Sequence, residues 1–276
     1  MPISAAEKHA NFRKLHESGC FVLPNPWDVG SARYLAHCGF KALASTSAGY
    51  AWSTGRPDNK VTADDVIAHL ALLSAATDLP VNADFENGFA DDPAGVAAHV
   101  ARAAASGISG LSIENSTGRA DQPLYDDVLA VERIKAARAA IDGVDPAVML
   151  VARCEGFLHG ERDLTKTTAR LVAFAEAGAD CLYAPGVASD EEITTLVQAL
   201  GGKPLNVLTV QPTMTVQHLA SLGVRRISVG GALARMAWAG FMQASQEIAG
   251  QGTFTAFAHG AKGGELNKLF GEASVR

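Results

Sequence analysis

Along this chain, Ala- and Leu-rich stretches repeatedly end in Gly and give way, within a few residues, to a short apolar run closed by polar residues. Five such joints recur: HESGCFVLPN, AHCGFKALAST, AASGISGLSIEN, AEAGADCLYAP and ASLGVRRISVGG. Gly19, Gly39, Gly107, Gly178 and Gly223 stand where a left-handed residue closes a helix, and the β-branched or aromatic residues that follow suit a buried parallel strand. Three further runs, PVNAD, VMLVAR and PLNVLTV, bring the predicted strands to eight: Phe21 to Asn25, Ala42 to Thr46, Val81 to Asp84, Gly110 to Asn115, Met149 to Arg153, Cys181 to Pro185, Leu205 to Thr209 and Arg226 to Gly230. Between them, Asp92 before Pro93 and Ser189 with Glu192 mark helix starts, the first as a carboxylate cap with proline at N1 and the second as a capping box. Strands alternating with helices imply a parallel sheet, and eight such units imply closure into a (β/α)8 barrel of the TIM type. An open doubly wound sheet is the competing arrangement, but no G-x-G-x-x-G follows the first strand. A last helical region, Ala232 to Ala249, and its Gly-containing tail read as an appendage, 232–276, on one domain spanning 1–276.

Composition narrows the class. A length of 276 residues suits one α/β barrel, and a hydrophobic content of 48% can fill its core. With 23 Lys and Arg against 29 Asp and Glu, a net charge of -6 and no basic run, the chain lacks the electrostatic footprint of a nucleic-acid binder. Small molecules and further copies of itself are the expected partners. The polar start MPISAAEKHANFRKLH does not read as a signal peptide, and no apolar stretch is long enough to span a bilayer, so a soluble cytoplasmic protein is expected. Cys20, Cys38, Cys154 and Cys181 are scattered without a C-x-x-C pair, which predicts buried, reduced thiols rather than a zinc site or disulfides.

In a barrel of this kind chemistry gathers at the C-terminal ends of the strands. Here the second strand ends in Ser45, Thr46 and Ser47 before Ala48 and Gly49, the third at Asp84 with Glu86 beyond, the fourth at Glu114 and Asn115, and the fifth at Arg153 with Glu155 beyond. Two acids and a guanidinium on successive strands point to one shared mouth, because a buried charge cluster is costly unless paired or used. Carboxylate oxygens with water suit a hard cation such as Mg2+, and the arginine fork suits a substrate carboxylate. The Ser45–Gly49 turn offers hydroxyls and backbone N–H groups to an anion, or is simply a Ser-rich loop.

These stretches resemble the isocitrate lyase/phosphoenolpyruvate mutase superfamily. The likeness runs through LPNPWDVGSARYLAHCGFKALASTSAG, VNADFENGF, GLSIEN, VARCEGF and RRISVGGALAR, nearly the whole chain. It implies a barrel whose last helix is exchanged between subunits in a dimer of dimers. It also implies Mg2+ held mainly through water by Asp58, Asp84 and Glu114, with Thr46, Ser47 and Ala48 holding the substrate carboxylate. Asp84 and Arg153 would also touch substrate, and Arg153 with Glu114 would carry the catalysis, Arg153 by stabilising negative charge at the reacting end. Two departures stand out: Asn82 where many members begin a D-A-D triplet, and NSTGRADQPLYDD where the isocitrate and methylisocitrate lyases carry a K-[KR]-C-G-H loop. Without that cysteine, cleavage of isocitrate or methylisocitrate loses its proton donor, typically worth about 10²–10⁴-fold. The resemblance then implies a Mg2+-dependent lyase working through an enolate of a 2-oxo or 2-hydroxy di- or tricarboxylic acid, by oxaloacetate decarboxylation or a weak C–C cleavage. The alternatives are a phosphoenolpyruvate mutase-like or phosphonopyruvate hydrolase-like phosphonate enzyme, and a non-catalytic binder of 2-oxo acids.

Overall fold

Eight short parallel strands form the wall of the barrel: β1 (Phe21–Leu23), β2 (Leu43–Ala44), β3 (Val81–Asp84), β4 (Gly110–Glu114), β5 (Met149–Arg153), β6 (Cys181–Tyr183), β7 (Leu205–Leu208) and β8 (Arg226–Ser228). The computed structural model describes residues 3–209 and 211–273. The helices are α1 (Ala5–Glu17), α2 (Val29–His37), α3 (Ser47–Ser53), α4 (Ala63–Ala76), α5 (Pro93–Ala104), α6 (Asp127–Val144), α7 (Leu164–Glu176), α8 (Asp190–Ala199), α9 (Val216–Ser221), α10 (Ala232–Gln251) and α11 (Gly263–Ala273). Ladders join β2 through β8 in sequence order, and β8 returns to β1.

Every predicted strand is present, with the expected bounds or ending slightly short of them, and β2 also begins one residue late. The residues just past the strand ends, among them Asn25, Ser45 and Thr46, leave the ladder and serve the mouth instead. All five joint glycines adopt positive φ, and at Gly178 (φ 107°) an added Cβ would also lie 2.7 Å from Arg138 Cγ. Asp92 caps α5 through Gly95 N–H with Pro93 in the first turn, and Ser189 and Glu192 close a capping box on α8. The thiols differ from expectation. All are free, Cys154 and Cys181 are buried, but Cys38 is exposed because it sits at the C-cap of the surface helix α2, and Cys20 is only half-covered.

The main core lies between the barrel wall and the helices, with Phe85, Leu111, Leu150 and Phe174 essentially excluded from solvent. At the lower end of the barrel α1 contributes Phe12, fully buried with Leu23, Ala42, Ala44 and Met149. Beside it His16 is buried and kept neutral, its pKa pulled down to about 3 by burial and by Arg226. One seam interrupts the wall. β1 and β2 share no ladder, and the gap is bridged by Ala44 N–H to Pro24 O (3.1 Å) and by the side chain of Asn25. Its Nδ2 donates to Ser45 O at 2.9 Å, while its Oδ1 accepts from Val229 N and Gly230 N, each at 2.9 Å.

Beyond the barrel, α10 leaves little of itself covered: among its described side chains only Ala234 is buried, while Met236 is 72% and Phe241 62% exposed. The tail is more ordered than its composition suggests, since it folds a 3-10 turn at Thr255–His259 and the helix α11, which meets α2. Among the described residues no helix is long and apolar enough to cross a membrane.

Candidate active site at the C-terminal mouth of the barrel

Strand alternation sends Asp84, Glu114 and Arg153 toward the barrel interior, and the guanidinium joins them. Arg153 Nη1 lies 2.7 Å from Asp84 Oδ1, Nη2 lies 3.1 Å from Glu114 Oε2, and Nε lies 2.9 Å from Glu155 Oε1. Burial opposes the charge on Arg153, but Glu155, Glu114 and Asp84 outweigh it and hold the pKa well above its ordinary value. The ring of Tyr183 lies 5.1 Å from its Cζ. Cys154, the next residue, is buried in the core outside the strand, as alternation requires.

The turn after β2 closes on the same point. Thr46 caps α3 by accepting from Gly49 N–H at 3.3 Å, Ser45 Oγ accepts from Asp84 N at 2.8 Å, and Ser47 N–H donates to Asp84 Oδ2 at 2.9 Å. Gly49 is required there: a Cβ would lie 2.7 Å from Thr46 Cγ2 and 2.9 Å from Trp27 Cβ. Ala48 lines the inner pocket beside Thr46 and Ser47.

Glu86 follows in a left-handed conformation (φ 47°) that a side chain rarely adopts. Its carbonyl accepts from Glu114 N–H. Arg133, on α6, donates to the carbonyls of Asn87, Ala90 and Asp91 and so fixes the segment. Glu86 Oε1 is buried without a partner. Burial, then Asp84 and Asp58, push its pKa up to about 8. Asn82 lies deeper, two residues before Asp84 on β3 and 2% exposed, and the acid that joins Asp84 at the mouth is Glu86, just beyond the strand.

Asp58 reaches the mouth from the loop between α3 and α4 and lines both cavities described below. The packing of that loop against the mouth, then the charge of Asp84, push its carboxyl up. Glu114 is pushed well above its ordinary value, by burial first, with Glu155, Asp84 and Glu86 adding and Arg153 opposing.

Two cavities meet at Arg153. The inner one, 160 Å3, descends into the barrel past Thr46, Ser47, Asp84, Tyr183 and Ser228. The outer one, 600 Å3, is lined by Glu86, Glu114, Glu155 and the hairpin after β4, where Ser116 bridges Leu124. Of the ionisable residues lining this outer cavity, sequence reasoning missed one. His159, from the 3-10 turn after β5, lies with its Nε2 3.2 Å from Ser116 Oγ. A histidine in a loop gives no periodic signal, and only the fold brings the two loops together.

The donor set fits a hydrated divalent cation. Three carboxylates pushed up by burial, Asp58, Glu86 and Glu114, crowd the mouth beside Asp84, and a positive ion would favour the ionised form that crowding opposes. Among the described residues no three acidic, His or Cys side chains converge closely enough to hold the ion directly. Contact through water therefore suits the geometry, as Mg2+ usually keeps several waters.

A TIM-type barrel with acids and an arginine at the ends of β3, β4 and β5 defines the architecture of the phosphoenolpyruvate mutase/isocitrate lyase superfamily. Residues 12–249 match the phosphoenolpyruvate phosphomutase family, and the chain belongs to it. A provisional lyase/mutase from Burkholderia cenocepacia J2315 superposes with a TM-score of 0.93 at 49% identity, over 97% of each chain. The uncharacterised protein Rv1998c of Mycobacterium tuberculosis is 36% identical over 223 residues, 80% of this chain and 81% of its own. Oxaloacetate acetylhydrolase, solved in complex with its product oxalate, is similar at 26% identity and a TM-score of 0.86, over 99% of this chain and 96% of its own.

Proposed function

We propose that the chain is a Mg2+-dependent lyase acting on a small 2-oxo or 2-hydroxy di- or tricarboxylic acid, by oxaloacetate decarboxylation or a related C–C cleavage. The observation that carries this reading is the position of Arg153, ringed by Asp84, Glu114 and Glu155 where a narrow polar pocket opens into a wider acidic cavity. A substrate with a carboxylate head and a second carboxyl at the reacting end can place one end in each space. A phosphonopyruvate hydrolase of the same fold, 24% identical, binds oxalate together with Mg2+, the smallest ligand with two adjacent carboxylates.

Asp58, Asp84, Glu86 and Glu114 would hold the ion through water. When bound, Mg2+ supplies fixed positive charge that stabilises negative charge developing on the 2-oxo oxygen. Thr46, Ser47 and Ala48 orient the carboxylate head. Arg153 faces the reacting end, where its fork, held in one plane by three carboxylates, steadies the departing carboxylate and the charge left behind. The narrow inner pocket limits water around the head. Loss of CO2 from a 3-carboxy-2-oxo acid needs no acid at the moment the bond breaks, which agrees with a loop after β4 that carries neither Cys nor His. Proton delivery to the product carbon falls to His159, the proton-transfer group beside Ser116 at the outer cavity.

The test is a screen of 2-oxo and 2-hydroxy di- and tricarboxylic acids, with Mg2+ or with EDTA, following CO2 and C–C cleavage products. Turnover that requires Mg2+ is the expected result. Phosphate release from phosphonopyruvate would replace this reading with a phosphonate enzyme, and binding without turnover would make the chain a 2-oxo acid binder.

A further inference from the structure

The inner pocket contains a second guanidinium whose situation is the reverse of Arg153. Arg226, on β8, is 2% exposed and lines the pocket two residues below Ser228. Its Nε donates to Asn206 Oδ1 at 2.8 Å and its Nη1 to Asn82 Oδ1 at 3.3 Å, both neutral amides. None of the groups acting on its charge is a carboxylate. Burial pulls its pKa down, Arg153 adds repulsion, and the Cys181 thiol and Tyr183 phenol that would help it are themselves pushed up by burial, hence neutral at pH 7. A guanidinium cannot shed its proton to escape such a site, so a buried one without an anion is costly.

The amides on either side have a clear physical consequence. An acid at position 82 or 206 would pair with Arg226 and cancel its field inside the pocket, whereas Asn82 and Asn206 fix its orientation and leave its charge in force. Arg153, by contrast, already has carboxylates within 3.1 Å of all three nitrogens, so an incoming anion gains less there.

We propose that Arg226 is the fixed counter-charge of the inner pocket, completed by the carboxylate head of the substrate, and that it selects a planar anionic head such as that of a 2-oxo acid or oxalate. The head then lies in the 160 Å3 pocket with its negative charge toward β8, and the reacting end lies in the outer cavity beside Glu114 and His159. This role rests on the proposed function, because it assigns the end of that substrate which enters first. Arg226 is a binding and positioning residue. It takes no part in bond breaking.

The experiment is calorimetric titration of the full chain with oxalate at saturating Mg2+, on wild type, Arg226→Lys, Arg226→Gln and Asn206→Asp, with Mg2+ alone and Tm as controls. Arg226→Gln should weaken oxalate about 10- to 100-fold, the range expected for a hydrogen-bonded charge, while Arg226→Lys keeps most of the affinity. Asn206→Asp is the sharper variant, because it gives Arg226 an internal carboxylate without removing it. Oxalate affinity should fall as in Arg226→Gln while Tm holds or rises. Mg2+ binding should be unchanged in all. Wild-type oxalate affinity in Asn206→Asp, or in a folded Arg226→Gln, overturns the role and leaves the proposed function standing. Wild-type protein that binds no oxalate overturns both.

Discussion

Arg153 faces the two cavities while Cys154, one residue on, is packed outside the barrel with its thiol pushed up by burial. Replacing Arg153 with Lys keeps a charge but not the fork that spans Asp84, Glu114 and Glu155, and should lower kcat/KM about 10²-fold with a much smaller effect on folding. Cys154→Ser should leave kcat/KM within about twofold and lower Tm, since a buried hydroxyl without a full partner costs about 1–3 kcal/mol. Kinetics and melting curves on both variants check the pair, and loss of activity in Cys154→Ser alone would reverse the roles. Glu86 makes a second prediction. Its folded pKa, about 8, lies above the ordinary 4.5, so its protonated form favours folding. That contribution is complete below pH 4.5 and is lost as pH rises through about 8. Glu86→Gln should therefore gain Tm relative to wild type between pH 5 and pH 8.5, and Mg2+ should raise the wild-type Tm more at the higher pH. Thermal scans with and without EDTA measure both, and an equal Mg2+ effect at the two pH values would detach the ion from the acid cluster. Asp84, Glu114 and Arg153 could be read from the sequence because each ends an apolar run on a predicted strand. Arg226 could not, since a strand-start arginine in RRIS gives no sign of which of two adjacent arginines is buried.

At the level of elements, the hairpin after β4 and the 3-10 turn after β5 form one wall of the outer cavity through Ser116 and His159, 43 residues apart. If His159 delivers the proton to the product carbon, His159→Gln should lower turnover about 10²-fold, near the lower end of general acid–base contributions, with KM nearly unchanged. Wild-type kcat in that variant would remove His159 from the chemistry. The eight strands were predictable from their joints because helix-closing glycine followed by a β-branched run is a local signal. The contact between two loops is not local. The first helix ends at the joint that Gly19 marks, but its role was hidden: Phe12 and His16 are buried at the barrel's lower end, while the surrounding polar residues mask the apolar stripe.

For the whole molecule, α10 carries more apolar surface than an outer helix needs, with Met236, Phe241 and Met242 each more than half exposed and Trp238 37% exposed. We expect this face to pack on another copy of the chain, and sedimentation at micromolar concentration should show a dimer or larger species. A monomer would exclude the exchange of the last helix between subunits. The apolar positions of α10 were visible in the sequence, whereas α11 was not, because its Gly-containing stretch resembles a loop until its contact with α2 is known. The seam between β1 and β2 has a consequence of a different kind. Where other neighbouring strands share a ladder, this pair relies on one main-chain bond and the amide of Asn25, so the barrel is a ring fastened by a clasp. Because Asn25 also receives Val229 and Gly230, and Ser45 beside it holds Asp84, opening the clasp would loosen the mouth before the wall. In Asn25→Ala, backbone amides of Val229 and Gly230 should take up deuterium first, while those along β4 and β5 stay protected, so the active-site rim would be the first part of the barrel to breathe.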